Sequence, residues 1–314
     1  MRVCTMTVVW LSLVLCACQP RRHDPDALCG TVKLSGAWAL YPLAVAWAEE
    51  FQHLHPGVRV DVSAGGAGKG MADALAGLVD LGMVSREIAP EELARGCLAI
   101  PVAKDAVLCI VNAHNPAAAV LATQGLVRTQ LQAVWLGTNA LTWAALGAAN
   151  NSPLNVYTRS DAAGAPETWA LYLGAHQEHL RGTGLYGDPG VVEAVRRDVN
   201  GIGYCNLNFA YDAETGAPLE GIIAVPIDVN ENGCADHDEL LTSKAAAMRT
   251  IALNVYPSPP ARPLYFVTKN RVSNPAAAAF VRWALTGGQQ FVEPAGYIAL
   301  SSNQLADALH LLAR

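Results

Sequence analysis

The sequence predicts an α/β protein, and three observations carry that prediction. Short runs rich in Val, Ile and Leu alternate with segments whose apolar residues recur at helical spacing; this favours a parallel or mixed sheet covered by helices. Glycine-rich loops sit between the end of a strand run and the start of a helix run. The chain has 314 residues, 52% hydrophobic and only 15% charged, enough to fill one large domain or two smaller ones.

Taken in order, residues 31–34 form a short strand and 35–41 a turn. Pro42 opens a helix to about residue 54, with Leu43, Ala46, Trp47, Phe51 and Leu54 on its apolar face. Pro56 and Gly57 stop it before a strand at 58–62. A helix at 71–78, a strand at 79–84 and a short helix from Pro90 follow. The runs 100–103 and 106–111 look like two paired strands. Residues 112–116 make a crossover, and 117–150 are alanine-rich and helical. A strand at 154–158 leads into the loop 159–165, and Pro166 opens a helix carrying Trp169. A helix at 191–199, strands from 201 and at 221–227, a proline-rich crossing at 257–260, a strand at 264–267 and helices at 275–286 and 303–313 complete the chain. Trp47 and Trp169, at helical spacing, are assigned to the core.

The stretch Ser63-Ala64-Gly65-Gly66-Ala67-Gly68-Lys69-Gly70 stands out. It joins a strand to a helix start, where unpaired backbone N–H groups and the helix dipole favour an anion. It is not a nucleotide P-loop: Ser63 occupies the first glycine position and Gly70 the place of the magnesium-binding hydroxyl. Two further loops, 35–41 and 159–165, have the same placement, and ligands in such sheets bind beyond the carboxyl ends of strands. Arg159 in the last loop has the planar fork suited to oxyanions, with Asp161 beside it.

The net charge of −6 and the lack of a basic stripe exclude nucleic acid as a partner. No nucleophile elbow, Rossmann fingerprint or nucleophile–base set occurs, so the chain is not expected to be an enzyme. Residues 1–17 have the form of a signal peptide, with an apolar core too short to span a bilayer. The run Leu15-Cys16-Ala17-Cys18 resembles a bacterial lipobox with Cys18 as the lipid-bearing residue, and 18–29 is a polar tether. The mature chain is therefore expected to be exported, periplasmic and lipid-anchored to a bacterial membrane. It keeps Cys29, Cys97, Cys109, Cys205 and Cys234, an odd number with no C-x-x-C spacing.

Five blocks in order resemble the phosphate-binding (PstS-like) branch of periplasmic-type substrate-binding proteins: Ser35-Gly36 through Leu43, Gly65 to Gly70, Asp80 through Arg86, Arg159-Ser160-Asp161 through Gly164, and Arg262 through Lys269 with Gly296 to Leu300. The resemblance covers nearly the whole mature chain. It implies a two-lobed periplasmic-binding-protein fold (type II-like) with hinge-crossing strands: lobe one from 30–112 and 261–314, lobe two from 113–260. It further implies that lobe one offers Ala37, Trp38, Ala39, Gly66, Ala67, Lys69 and Ser85 to a ligand. Lobe two would offer Arg159, Asp161, Ala163, Gly164 and Ala165. The implied ligand is inorganic phosphate or another oxyanion; the implied partners are an ABC permease and its ATPase, with the binding protein a monomer. The alternative is a sensory or adhesion lipoprotein on the same fold. The chain departs from the family at Ala37, Ala39, Ala67, Lys69, Ala163 and Ala165, where Ser and Thr are typical, so main-chain amides, Lys69 and the Trp38 indole would have to replace the hydroxyl donors.

The segment 228–239 matches a twelve-residue calcium loop, with oxygens from Asp228, Asn230, Asn232, Asp236 and Glu239, the Cys234 carbonyl, and Gly233 at the turn. It predicts a structural calcium ion remote from the anion cleft.

Overall fold

A computed structural model of the chain describes residues 28–149 and 151–313. The expected signal peptide and Cys18 lie outside the described residues. Among the described residues no helix is long and apolar enough to cross a membrane.

The first half of the described chain runs β1 (Gly30–Gly36), α1 (Tyr41–Leu54), β2 (Val58–Ala64), α2 (Ala67–Ala76), β3 (Leu81–Val84), α3 (Pro90–Ala94) and β4 (Cys97–Asn112). Then come α4 (Ala118–Gln124), α5 (Arg128–Leu136), β5 (Asn155–Arg159), α6 (Gly164–Leu173) and β6 (Thr183–Leu185). The remainder is α7 (Gly187–Arg197), β7 (Gly201–Asn206), α8 (Leu207–Ala210), β8 (Ile222–Val225), α9 (Lys244–Ala252), β9 (Ala261–Lys269), α10 (Pro275–Ala284) and α11 (Ser302–Leu312). The α/β class is as the sequence predicts. The alanine-rich stretch is not continuously helical: Gly125 and Gly137 end α4 and α5, and only the short 3₁₀ turn Trp143–Leu146 follows.

The strands are hydrogen-bonded in the order β2-β1-β3-β9-β4-β7-β5-β6, with β8 also paired to β4. β1 lies parallel to β2 and β3, and β5 parallel to β7 and β6. β4 and β9 run antiparallel to their neighbours and form the middle of the path. The two strands expected at 100–103 and 106–111 are one sixteen-residue strand, β4. Lys104 and Asp105 look like a turn in sequence, yet Asp105 is buried and sits opposite Arg262 of β9. β4 pairs with β9 from Cys97 to Ala106, across a bulge between Pro101 and Ala103, and with β7 and β8 beyond it, so the strand changes partners without ending.

That strand joins two hydrophobic cores. One gathers Val32, Leu34, Trp47, Phe51, Met83, Ile100, Phe266 and Phe280. The other gathers Val107 to Val111 with Trp135, Trp143, Trp169, Val195 and Tyr204. Residues 106–111 are apolar without alternation because β7 and β8 flank the strand and both of its faces are covered. The boundary placed at 112 from sequence thus falls at the end of a strand belonging to both cores. Trp47 and Trp169 are fully buried.

At the crossing, Asp105 and Arg262 face each other with Arg262 Nη2 3.7 Å from Asp105 Oδ2. Neither Asp105 oxygen has a donor in hydrogen-bonding geometry, although the Ala106 and Leu207 amides lie close enough to favour its charge. Burial dominates and raises its pKa from 3.8 to about 7, against the pull of Arg262. A raised carboxyl binds its proton more tightly in the folded state, so the stability it contributes is complete below pH 3.8 and is lost as pH rises through about 7. Thermal midpoints are expected to fall across that window, and Asp105→Asn to flatten the slope. The same slope in both chains would assign the dependence to another group.

Candidate functional site

The sheet brings the ends of β1, β2, β3 and β5 to one place. The glycine stretch does not stay a loop to its end: α2 begins at Ala67, so Ala67-Gly68-Lys69-Gly70 is its first turn. The glycines allow close approach. A Cβ on Gly70 would collide with the Ser35 and Met83 carbonyls and with Gly36, and Gly66 adopts φ +91° at the N-cap. The loop after β1 folds back on itself, with the Ala37 N–H donating to the Met83 carbonyl at 2.9 Å and the Leu40 N–H to Ala37.

Residues of the second core meet this surface. The Gly68 N–H donates to the Ala162 carbonyl at 3.1 Å. Gly66 lies against Asp161, Ala162 and Ala163, and Gly164 packs on the Ser85 hydroxyl and carbonyl with no room for a Cβ. Trp38 rests its indole on Gly187 and meets Tyr186 edge-on at 6.1 Å. The loops carrying Trp38, Gly66 to Gly68, Ser85 and Asp161 to Gly164 therefore converge across the two cores, as a ligand cleft requires. Ala37, Ala39, Ala67, Ala163 and Ala165 are all buried. The indole N–H of Trp38 is buried without an acceptor.

Arg159 sits at the end of β5 with its side chain 1% exposed. Its Nε and Nη2 donate to Asp161 at 2.7 and 2.6 Å, and its Nη1 donates to Asp188 at 2.8 Å. The guanidinium is thus held by two carboxylates, Asp161 beside it in sequence and Asp188 from α7. Burial opposes its charge, but Asp188 and Asp161 outweigh burial and raise its pKa above the ordinary value. Burial would raise Asp161; the hydrogen bonds and charge of Arg159 hold it below its usual value. Taken alone, the three groups sum to one negative charge, so an oxyanion here needs the helix-start amides of α2 and α6 as well.

Lys69 is placed differently from the expectation that it adds charge to the ligand. Its ammonium pairs with Asp73 one turn along α2, and Asp73 also accepts from Ser35 Oγ at 2.6 Å. The i,i+4 spacing puts both groups on one helix face, and half of the Lys69 side chain is exposed.

Several members of the site were not singled out from the sequence. Asp188 lies in the first turn of α7 and is fully buried; its oxygens accept from the Asn206 main-chain N and Nδ2, each at 2.8 Å. Gln177 Nε2 donates to the Asp161 carbonyl at 2.7 Å and steadies the loop. Tyr204 hydroxyl bonds Thr158 Oγ1 at 2.8 Å and accepts from the Arg159 N–H at 3.3 Å. An acidic residue at a helix start was the available signal for Asp188; nothing local marks Tyr204, Asn206 or Gln177. A groove of about 400 Å³ at the rim is lined by Gly68, Arg86, Ala89, Ala162, Glu167 and Gln177. A larger groove of about 600 Å³ opens at the far end of β5, beside Thr138, Tyr157 and Arg181, and none of the converging loops lines it.

The segment 228–239 forms a self-bonded turn. Asp228 accepts from the Asn232 and Gly233 N–H groups at 3.3 and 2.9 Å, Glu239 from Val229 and Asp236, and Asp236 from the Asn230 and Asn232 side chains. The carbonyl oxygens of Asn230 and Asn232 accept from main-chain N–H groups within the turn, the Asn232 oxygen from Cys234. As folded, these oxygens face the loop's own donors, and among the described residues no group of three or more His, Cys, Asp or Glu converges as a metal site. Each acceptor oxygen keeps a second lone pair, so these hydrogen bonds leave room for the expected calcium ion. Cys29, Cys97, Cys109, Cys205 and Cys234 are all unpaired.

A model of the PBP superfamily domain matches residues 24–287. The phosphate-binding protein PstS of Pseudomonas aeruginosa is 25% identical over 92% of this chain and 89% of its own length. Protein SphX of Synechococcus elongatus is 26% identical over 88% and 80%. Among solved structures, a Clostridium perfringens protein with bound phosphate superposes with a TM-score of 0.72 at 22% identity, covering 87% of this chain and all of that one. An ABC-type phosphate transport receptor from Vibrio cholerae gives 0.63 at 17% identity, covering 86% and 100%. The structural likenesses show the fold.

Two outcomes follow from the geometry. Gly164→Ala is expected to hold the Ser85 loop away from α6 and open the cleft, giving a larger radius of gyration in small-angle scattering with unchanged far-UV circular dichroism. An unchanged radius would remove this contact from closure. Asp228→Ala, which strips acceptors from two N–H groups, is expected to cost about 1–3 kcal/mol in urea unfolding.

Proposed function

The chain belongs to the PBP superfamily, and from that premise we propose that it is the substrate-binding lipoprotein of an ABC-type importer, taking phosphate or a related oxyanion between its lobes. One observation carries the reading: loops from both cores converge around a buried arginine and the starts of two helices. The Ala67 and Lys69 amides at the start of α2, and those of Gly164 and Ala165 at the start of α6, are first-turn groups with no acceptor one turn back in their own helix. They survive replacement of the family hydroxyls by alanine, because the donor belongs to the backbone. Arg159 supplies charge, and Asp161 and Asp188 fix the plane of its fork.

Closure follows from the same arrangement. An anion touching α2 on one lobe and α6 on the other has more partners when the lobes meet, so it favours the closed state by the difference. The names of the relatives, phosphate-binding proteins and a phosphate transport receptor, support this choice of ligand. The permease, the ATPase, export to the periplasm and the Cys18 lipid anchor belong to the same proposal; no chemical step is assigned to the cleft.

Calorimetric titration of the purified chain with phosphate, sulfate and molybdate tests it. Saturable binding of at least one oxyanion is expected, weakened about ten- to hundredfold by Arg159→Lys, the loss of one charge-assisted bond. Heats of dilution alone for all three would sink the proposal.

A further inference from the structure

Arg262 is 4% exposed on β9, where the chain crosses between the cores. Asp105 is its nearest counter-charge, yet their 3.7 Å separation is beyond hydrogen-bonding distance. The directed bonds of the guanidinium go elsewhere. Nη1 donates to the Gly164 carbonyl at 3.0 Å, and Nη2 donates to the Asn206 side-chain oxygen. With its oxygen held, the Asn206 amide turns its Nδ2 to Asp188 Oδ2 at 2.8 Å while its main-chain N reaches Oδ1. Asp188 Oδ2 also accepts from Arg159 Nη1 at 2.8 Å. A continuous buried relay therefore runs from the crossing strand to the arginine of the cleft: Arg262, Asn206, Asp188, Arg159.

We propose that Arg262 is the positioning residue of the cleft: from the crossing strand it sets the orientation of Arg159 through Asn206 and Asp188, and the seat of α6 through the Gly164 carbonyl. The functional meaning of this role rests on the oxyanion reading above; the relay itself does not. Burial discourages the charge on Arg262, against the pull of Asp105 and Asp188, so the group is held there by directed bonds and not by easy solvation. Lysine, a point charge without a fork, cannot serve Gly164 and Asn206 in the same geometry. The crossing strand thereby supports both of lobe two's contributions to the cleft, the Arg159 guanidinium and the α6 amides. Hinge movement and the aim of Arg159 become one event.

The test has a ligand-free arm and a ligand arm. Arg262→Gln is made together with Asp105→Asn so that no charge is left buried alone, and Asn206→Ala separately cuts the relay at its centre. Hydrogen exchange of the Arg159 Nε–H, which donates to Asp161, is followed by NMR in the ligand-free chain. Both altered chains are expected to exchange at least about tenfold faster than wild type, as loss of one restraining bond allows. Phosphate affinity, by calorimetry, is expected to fall about tenfold or more in Asn206→Ala, and the double variant with Arg159→Lys to bind no more weakly than Arg159→Lys alone, because both act at one guanidinium. Wild-type exchange rates in a variant with native circular dichroism overturn the proposal, as do fully additive affinity losses. Failure of both variants to fold overturns it too, making the relay a folding element. A wild type that binds no oxyanion defeats the oxyanion reading alone, and the exchange arm still decides the role of Arg262.

Discussion

The site depends on one buried cation caught between two carboxylates. Arg159 is held on one edge by Asp161, two residues along its own strand end, and on the other by Asp188 from α7. Taking any of these charges out of water is costly unless each is paired and hydrogen-bonded. The arrangement meets that condition by recruiting more of the fold: Asn206 donates twice to Asp188, the Gly187 N–H donates to Asp161 at 3.2 Å, and the Tyr204 hydroxyl accepts from the Arg159 backbone. The Arg159 side chain thus arrives already oriented, which is what a preorganised binding group needs.

The second constraint is the pair of strands that both cores share. β4 carries residues of the first core up to Ala103 and of the second from Ala106, and β9 pairs with it through the change. These two strands are the continuous link between the cores. The Asp105–Arg262 pair lies at this change, and Arg262 also donates to the Gly164 carbonyl of the second lobe. Packing and recognition meet at the same residues.

Small residues carry much of the rest. Gly70 against Gly36, Gly68 against Ala162, and Gly164 against Ser85 bring backbone to backbone, where even a methyl group would intrude. Alanine at 67, 163 and 165 leaves the main-chain donors unshielded while filling the space beside them. The loss of side-chain hydroxyls relative to the family pattern is thus consistent with a cleft that works through peptide N–H groups and a fixed guanidinium.

The sequence by itself determined the α/β class, the placement of glycine loops before helices, and the core role of Trp47 and Trp169. These features are local: strand and helix periods and turn residues express themselves over a few residues. Tertiary structure alone decided the rest. It fused the segments on either side of Lys104-Asp105 into one strand, because an acidic residue that looks like a turn finds Arg262 more than 150 positions away. It supplied Asp188, Asn206 and Arg262 to the network around Arg159. Which way a polar side chain faces depends on partners distant in the chain, and periodicity carries no record of them.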